Sequence, residues 1–451
     1  MRPHLPALLA ALIAAPAVAN DLLQFYHVAK AGDARLQAAR FQRDALLEAR
    51  PQALAQWLPQ LDASASAARE RQGYQFAQPQ NRQTSGCELA ADGLMQHCYG
   101  TSRGYGLTLS QTLWSFEAYN RLKEADLQAA SAQASLLGAE QDLLLRISQA
   151  YFGILSARDQ LATNRAARET FGNLLNQARA REQTGVGPRS DVEQAKSFHD
   201  ATEQGVIDAQ SALEDAQLLL TEIVGMHADE IAPLRDDIPL AAPDPLAVET
   251  WVASARQDNL EVRAAELQME AAAREIAVQR GRGLPTLSLS ATGTRVRQDQ
   301  TIGGNQTFDT VGISFSWPLF QGGAVASGVR QVRARYGQAA AQYEAAQRNT
   351  ERQTRSAYRG VVSGIQRIAA ARRAVESGRD AVEASRRNVE FGTGNEFNLL
   401  SAQNNFYAAQ RAYNQARYDY LTSELTLARQ AGRLAEQDLA AIDALLVPHG
   451  T

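Results

Sequence analysis

The sequence predicts an α+β membrane protein in which long helices wrapped as coiled coils are combined with β-strands of membrane-spanning length. Three observations lead there. The chain has 451 residues but only 14 prolines, none between Pro79 and Pro188 and none between Pro318 and Pro448, so two very long stretches lack the residue that breaks helices. Four segments alternate apolar with small polar residues at a period of two. The order of helix, strands and helix occurs twice along the chain.

The first residues read as an export signal. Arg2 and His4 precede the apolar run Leu5 to Ala15, and Ala17-Val18-Ala19 has the small residues of a cleavage site. This run is too short for a permanent helical span, which needs about 20 residues. Cleavage is expected after Ala19, leaving Asn20 at the new terminus, and Asn20 gives no basis for lipidation. No later stretch is apolar enough for a transmembrane helix. The mature chain is therefore soluble outside the inner membrane or crosses another membrane as strands.

Three pairs of segments define the duplication. Asp33 to Leu61 has the pattern of Asn259 to Leu287, each an Ala-rich helical segment leading to Leu-Pro, at Leu58-Pro59 and Leu284-Pro285. Gly106 to Trp114 matches Gly312 to Phe320, and Gly185 to Val192 matches Gly392 to Leu399. The offsets are 226, 206 and 207 residues, which puts about twenty extra residues in the first half, between its Leu-Pro and Gly106. The expected division is residues 1–19 as signal peptide, 20–235 as the first repeat and 236–451 as the second.

Strands are expected where the period is two. Leu61, Ala63, Ala65 and Ala67 alternate with Asp62, Ser64 and Ser66, and Tyr105, Leu107 and Leu109 alternate with Gly106, Thr108 and Ser110. In the second half Leu287, Leu289 and Ala291 alternate with Ser288 and Ser290, and Val311, Ile313, Phe315, Trp317 and Leu319 with Gly312, Ser314, Ser316 and Pro318. Four strands of about ten residues result, the length of a transmembrane β-strand.

Helices carry a heptad-like seam. Val325, Val329, Val332, Tyr336, Ala339, Tyr343 and Ala346 step by four and three, followed by Ile368, Val375, Val382 and Val389 at seven. Leu122, Ala129, Leu136 and Leu143, then Ile147, Ile154 and Leu161, do the same in the first half. Such a seam means helices wound on one another. Residues 118–183 alone would extend roughly 100 Å at 1.5 Å per residue.

Few residues carry chemistry. Lys and Arg number 45 against 49 Asp and Glu, so a net charge of −4 gives no basic excess for nucleic acid. Gly185-Val186-Gly187 has a phosphate-loop look but lies between helices, so a helix hairpin turn explains it better. Ser190-Asp-Val-Glu193 then reads as a capping box, with Asp191 as a first-turn carboxylate. Cys87 and Cys98 lie together in the insertion of the first half, and in an exported protein an even pair in one loop most often forms a disulfide. Metal binding by Cys87, His97 and Cys98 lacks a fourth ligand. Trp57, Trp114 and Trp317 fall at or just outside strand ends, where either junction packing or an interfacial aromatic girdle would place them. No Ser-His-Asp elbow, HExxH or paired CxxC occurs, and no enzymatic activity or cofactor is expected.

The sequence resembles the TolC family of outer-membrane channel proteins. The resemblance rests on the opening Asn20-Asp-Leu-Leu-Gln-Phe-Tyr26, the Leu-Pro-x-Leu strand starts, Ser316-Trp-Pro-Leu-Phe-Gln-Gly-Gly323, the Gly-x-Gly helix turns and Gly432-Arg-Leu-Ala-Glu-Gln-Asp-Leu439. It implies a homotrimer whose chains each give four strands to one shared 12-stranded barrel and their long helices to a periplasmic tunnel. It also implies an exit duct for small toxic compounds or unfolded proteins, with a periplasmic adaptor and an inner-membrane pump, ABC-type or proton-driven, as partners, and outer-membrane lipid around the strands. A structural periplasmic coiled-coil or adaptor protein without a pore is the other reading. It explains the heptads but not the strands.

The same resemblance implies a periplasmic aperture at the glycine turns, with Gly185, Gly187, Asp191 and Glu193 in the first repeat and Gly392, Gly394, Glu396, Asn398 and Ser401 in the second. In the channel that gives the family its name, paired aspartates ring this aperture, and their positions fall on Asn398 and Ser401. The arginine that pairs there with the equivalent of Asp191 corresponds to Gly394. A weaker cation preference and a less firmly latched closed state are expected, with residual charge from Asp191, Glu193 or Glu396.

Overall fold

A computed structural model describes residues 22–81, 87–226, 231–299 and 305–447. The expected signal peptide, residues 1–19, and the new terminus at Asn20 lie outside the described residues. The chain divides into two compact units, one holding residues 42–133 and 264–344 and the other residues 1–41, 134–263 and 345–451. Each unit draws on both sequence repeats.

Five helices open the repeated segments: α1 (Leu22–Gly32), α2 (Ala34–Leu47) and α3 (Ala49–Ala55) in the first half, α6 (Val248–Asp258) and α7 (Leu260–Gly281) in the second. Equivalent residues cap α2 and α7. An Asp33 carboxylate oxygen accepts the Leu36 amide at 2.7 Å, and the Asn259 side-chain oxygen accepts the amides of Glu261 and Val262 at 3.0 and 3.2 Å. These acceptors satisfy donors that the first helical turn leaves open.

The sheet lies within one unit. Its strands are β1 (Gln60–Gln75), β2 (Cys87–Leu89), β3 (Met95–Ser115), β4 (Thr286–Asp299) and β5 (Gln306–Ser316). All pairs are antiparallel and the long strands run in the order β1-β3-β4-β5, while β2 pairs only with β3. The four expected strands are present, but all are longer than ten residues, at 16, 21, 14 and 11. Alternation marks only the part with an apolar face. Arg69 to Gln75 pairs with Met95 to Thr101 through the backbone, with no apolar period to announce it. For the same reason the first-half insertion that holds Cys87 and Cys98, expected as one loop, is partly strand, with β2 as an additional short one. At the other end β5 stops at Ser316, so Trp317 and Leu319 lie beyond it. Pro318 has no amide to donate to a ladder.

Paired residues share a face, so the register sorts the side chains. One face carries Leu61, Leu109, Ala291 and Val311 in one row and Trp114, Leu287 and Phe315 in another. Leu61, Leu107, Trp114, Val311, Ile313 and Phe315 are all exposed on it. The opposite face carries Asp62, Ser64 and Ser66 against Thr108, Gly106 and Gly104, and Ser288 bonded to Ser314 at 2.7 Å.

The second unit is helical. It contains most of α4 (Phe116–Gln183) and α8 (Ala324–Glu390), together with α5 (Arg189–Val224), α9 (Glu396–Gln430) and α10 (Glu436–Asp443). α4 has 68 residues, about 100 Å of helix. Its core is built on Leu143, Ile147, Tyr151, Ile154, Leu220, Tyr420 and Leu439, with Phe25 and Leu36 packed in. The carboxyl end closes on the segment between the repeats: the Arg235 amide donates to Leu445 and the Val447 amide to Pro233, at 3.0 and 2.8 Å. The α4 seam is buried at Leu136, Leu143, Ile147, Ile154 and Leu161, whereas the α8 seam is buried only at Val332 and Ile368.

Candidate functional site

The two helix turns have one backbone design. In the first repeat the amides of Val186 and Gly187 both donate to the Arg181 carbonyl, at 2.9 and 3.1 Å. In the second the amides of Thr393 and Gly394 both donate to the Asn388 carbonyl, at 2.9 Å each. Arg181 and Asn388 stand 207 residues apart, the offset of the glycines themselves. Gly185 and Gly392 take φ of +75° and +71°, a left-handed conformation that costs a side-chain-bearing residue about 1–2 kcal/mol. Gly187 and Gly394 are small for another reason. A Cβ would lie 3.0 Å from the Arg181 Cβ at the first and 2.7 Å from the Asn388 Cβ at the second.

The turns differ in how the next helix starts. Asn395 caps α9, its side chain accepting the Phe397 amide at 2.8 Å. Its counterpart Pro188 occupies the cap of α5 and offers no side-chain acceptor. The capping box expected at Ser190 and Glu193 is therefore absent. Pro188 has extended backbone and α5 begins at Arg189, which puts Ser190 inside the helix, two residues too late to cap it. The Pro188 carbonyl accepts the Asp191 amide instead, and Glu193 faces Arg189 at 3.6 Å on the exposed surface. Asp191 remains a first-turn carboxylate, favourable to the helix dipole.

A cross-repeat ion pair lies beneath the turns. Arg181, near the end of α4, donates to Glu396, the first residue of α9, at 3.1 Å. The Glu396 side chain is 5% exposed and that of Arg181 40%. Glu396, expected from the sequence as a source of residual charge, is thus turned into the chain and paired with Arg181. Burial is affordable because the carboxylate is paired. Asn398 is exposed and Ser401 half-buried on the following turn of α9. Below them Ala167, Phe171, Leu175, Ala178, Ala195, Leu400 and Tyr407 form a small separate core, with Phe171 stacked on Phe198 at 5.4 Å between centroids. The Tyr407 hydroxyl lies 2.8 Å from Thr170 Oγ1 and donates to the Ala166 carbonyl. Further along α9, Arg411 donates to Asn164, which donates to the Gly205 carbonyl of α5. Burial lowers the Arg411 pKa.

No sequence pattern marks Arg181, because its partner is 215 residues away and belongs to the other repeat. Val186 and Phe391 are both 79% exposed at the turns, and Phe397 is also exposed. Cys87 and Cys98 are joined in a disulfide that ties β2 to β3 at the far end of the sheet. Trp114 ends a row of β3, Trp317 follows β5, and Trp57 precedes β1, half-buried with its carbonyl accepting from Gln111. All three tryptophans lie at the strand termini that lead to helices.

Residues 25–226 and 251–433 match the model of the outer membrane efflux protein family. The chain belongs to that family. Two relatives support it over nearly full length. Outer membrane protein TolC of Vibrio cholerae is 27% identical over 431 residues, covering 94% of each chain, and alkaline protease secretion protein AprF of Pseudomonas aeruginosa is 28% identical, covering 97% of this chain and 89% of the relative. The crystal structure of outer membrane protein VceC from Vibrio cholerae superposes with a TM-score of 0.74, at 19% identity over 91% of this chain and 96% of that one. As an outer membrane efflux protein the chain resides in the outer membrane and serves transport. No described helix is long and apolar enough to cross a membrane.

Proposed function

We propose that the chain is one third of the outer-membrane exit duct of a tripartite efflux or type I secretion system. The observation that carries this reading is the sheet, whose two outer strands β1 and β5 have, among the described residues, no partner on one side and whose apolar face is exposed. In lipid such edges must be paired. Joining β5 of one chain to β1 of the next pairs them. Two chains would close eight strands, which side chains fill, whereas three close twelve and leave a lumen. The small Ser, Thr and Gly side chains of the second face suit that lumen. The α8 seam, mostly half-buried within one chain, fits a neighbouring helix of the assembly.

The helices then extend from the strand termini into the periplasm, and the turns at Gly185–Asp191 and Gly392–Asn398 form the tip. Exposed Val186 and Phe391 supply apolar contacts for a periplasmic adaptor, which links the duct to an inner-membrane pump. Arg181 and Glu396 hold the first-repeat helix pair against the second, and opening the aperture means separating them. Cargo enters at the tip and leaves through the barrel. The protein itself needs no cofactor for this, because the pump supplies the energy. The disulfide-bearing hairpin faces the exterior.

A deletion strain tests the proposal. It should become sensitive to a panel of toxic compounds or lose specific secreted proteins, and the chain should regain either function when restored. Unchanged drug tolerance and an unchanged secretome would remove the duct assignment.

A further inference from the structure

The face that carries the apolar rows continues toward the hairpin ends as a basic belt. From the row of Leu287 and Phe315 to the row of Ala65, Tyr105 and Arg295 is eight residues along β4, about 27 Å along the strand and roughly 20 Å across a bilayer at a 45° tilt. Tyr105, 67% exposed, ends that stretch. The next row pairs Ala67 with Arg103 and Arg103 with Arg297, and Arg69 and Arg71 follow on β1 opposite Thr101 and Tyr99. Arg69, Arg71, Arg103 and Arg297 are all exposed.

These arginines differ in what they meet. Arg295 is held by Asp309 through two hydrogen bonds, at 2.8 and 3.2 Å, so the innermost guanidinium is already neutralised at the edge of the apolar rows. Arg71 lies over the Tyr99 ring at 5.7 Å. Among the described residues, Arg69, Arg103 and Arg297 have no carboxylate partner. Asp299 pairs in register with Thr101, beside this group. Charge placed on a lipid-facing surface immediately past the hydrocarbon depth serves neither the lumen nor the sheet ladder. Arginine there offers a planar donor fork that matches phosphate oxygens.

We propose that Arg69, Arg103 and Arg297 form a binding belt for the phosphate-bearing lipid headgroups of the outer leaflet. This rests on the topology given above, in which the hairpins face outward. Three chains would repeat the belt around the barrel. It fixes the depth of the barrel in the membrane and collects a ring of anionic lipid.

The test uses the assembled protein in phosphatidylcholine nanodiscs, titrated with a labelled bis-phosphorylated glucosamine lipid. Each arginine near an anionic surface contributes about fivefold in affinity, so Arg69→Gln with Arg103→Gln and Arg297→Gln should weaken binding on the order of a hundredfold. Arg372→Gln, an exposed helical arginine, should leave it unchanged. Should the triple variant not assemble, Arg69→Gln and Arg103→Gln alone are each expected to cost about fivefold. Wild-type lipid affinity in the arginine variants would overturn the proposal. So would displacement of the lipid by inorganic phosphate at equal phosphate concentration, which would mean the belt reads free anions. Conductance in phosphatidylcholine alone should be equal for wild type and triple variant. Its absence from both would count against the duct and not against the belt.

Discussion

Breaking the ion pair between Arg181 and Glu396 should loosen the periplasmic aperture. A hydrogen bond to a charged group contributes about 1.5–3 kcal/mol when well protected. Glu396 is buried, but Arg181 is 40% exposed and partly screened, so about 1–2 kcal/mol per chain is the reasonable value. Three symmetric copies add to about 3–6 kcal/mol, and each 1.4 kcal/mol is about tenfold, so the open fraction should rise on the order of a hundredfold or more. Glu396→Gln keeps a neutral hydrogen bond and should give the smaller effect, and Glu396→Ala the larger. Single-channel recording in planar bilayers reads the change as higher conductance or longer openings. The charge exchange of Arg181→Glu with Glu396→Arg should return part of the closed-state stability that either single change removes. If the single variants conduct like wild type, or if the exchange is no better than the singles combined, the pair does not hold the aperture shut.

Other outcomes follow from the same geometry. Gly187→Val and Gly394→Val force a side chain into the turn and should impair export while trimers still form; normal export from both variants would remove the tip assignment. Asn398→Asp with Ser401→Asp should strengthen cation preference and block by multivalent cations, and unchanged recordings would mean these positions do not line the constriction. Asp33, which caps α2 and holds Arg146 through two hydrogen bonds at 3.1 and 3.0 Å, should cost about 2–4 kcal/mol when changed to alanine, measured by denaturant unfolding. Burial alone would raise the Asp33 pKa, but the hydrogen bonds from Arg146 and the Leu36 amide and the Arg146 charge hold it below the usual carboxylate value. Its contribution is therefore complete above the unfolded pKa of about 3.9 and lost as pH falls through the lower folded value. A titration of unfolding free energy should flatten on the acid side in Asp33→Asn relative to wild type. Mass spectrometry without reduction should find Cys87 and Cys98 in one cross-linked peptide.

The architecture was legible because its signals are periodic and duplicated. Alternation at Leu61 to Ala67 and at Val311 to Phe315 located strands, and proline-free heptads located α4 and α8 to within two residues at the start of α4. What escaped were features that depend on geometry between distant residues or on backbone alone. The outer halves of β1 and β3 pair through amides and carbonyls beneath polar side chains, which leave no periodic trace. Ser190 and Glu193 have the right spacing for a capping box, yet the turn places Pro188 at the cap, and spacing cannot show where a helix begins. Glu396 looked like an aperture carboxylate until Arg181, in the other repeat, turned it inward. The glycine turns were read correctly as turns, while the reason for Gly187 and Gly394, contact with their own preceding helix, needed coordinates.

The most direct test of the duct is cross-linking between the outer strands of neighbouring chains in intact outer membranes. With cysteine at Ser64 in β1 and scanned through β5 on the same face, oxidation should yield a ladder that ends at three chains, and all three should cofractionate with the outer membrane. A ladder that ends at two chains, continues past three or fails to appear at every β5 position would contradict a barrel closed by three four-stranded sheets.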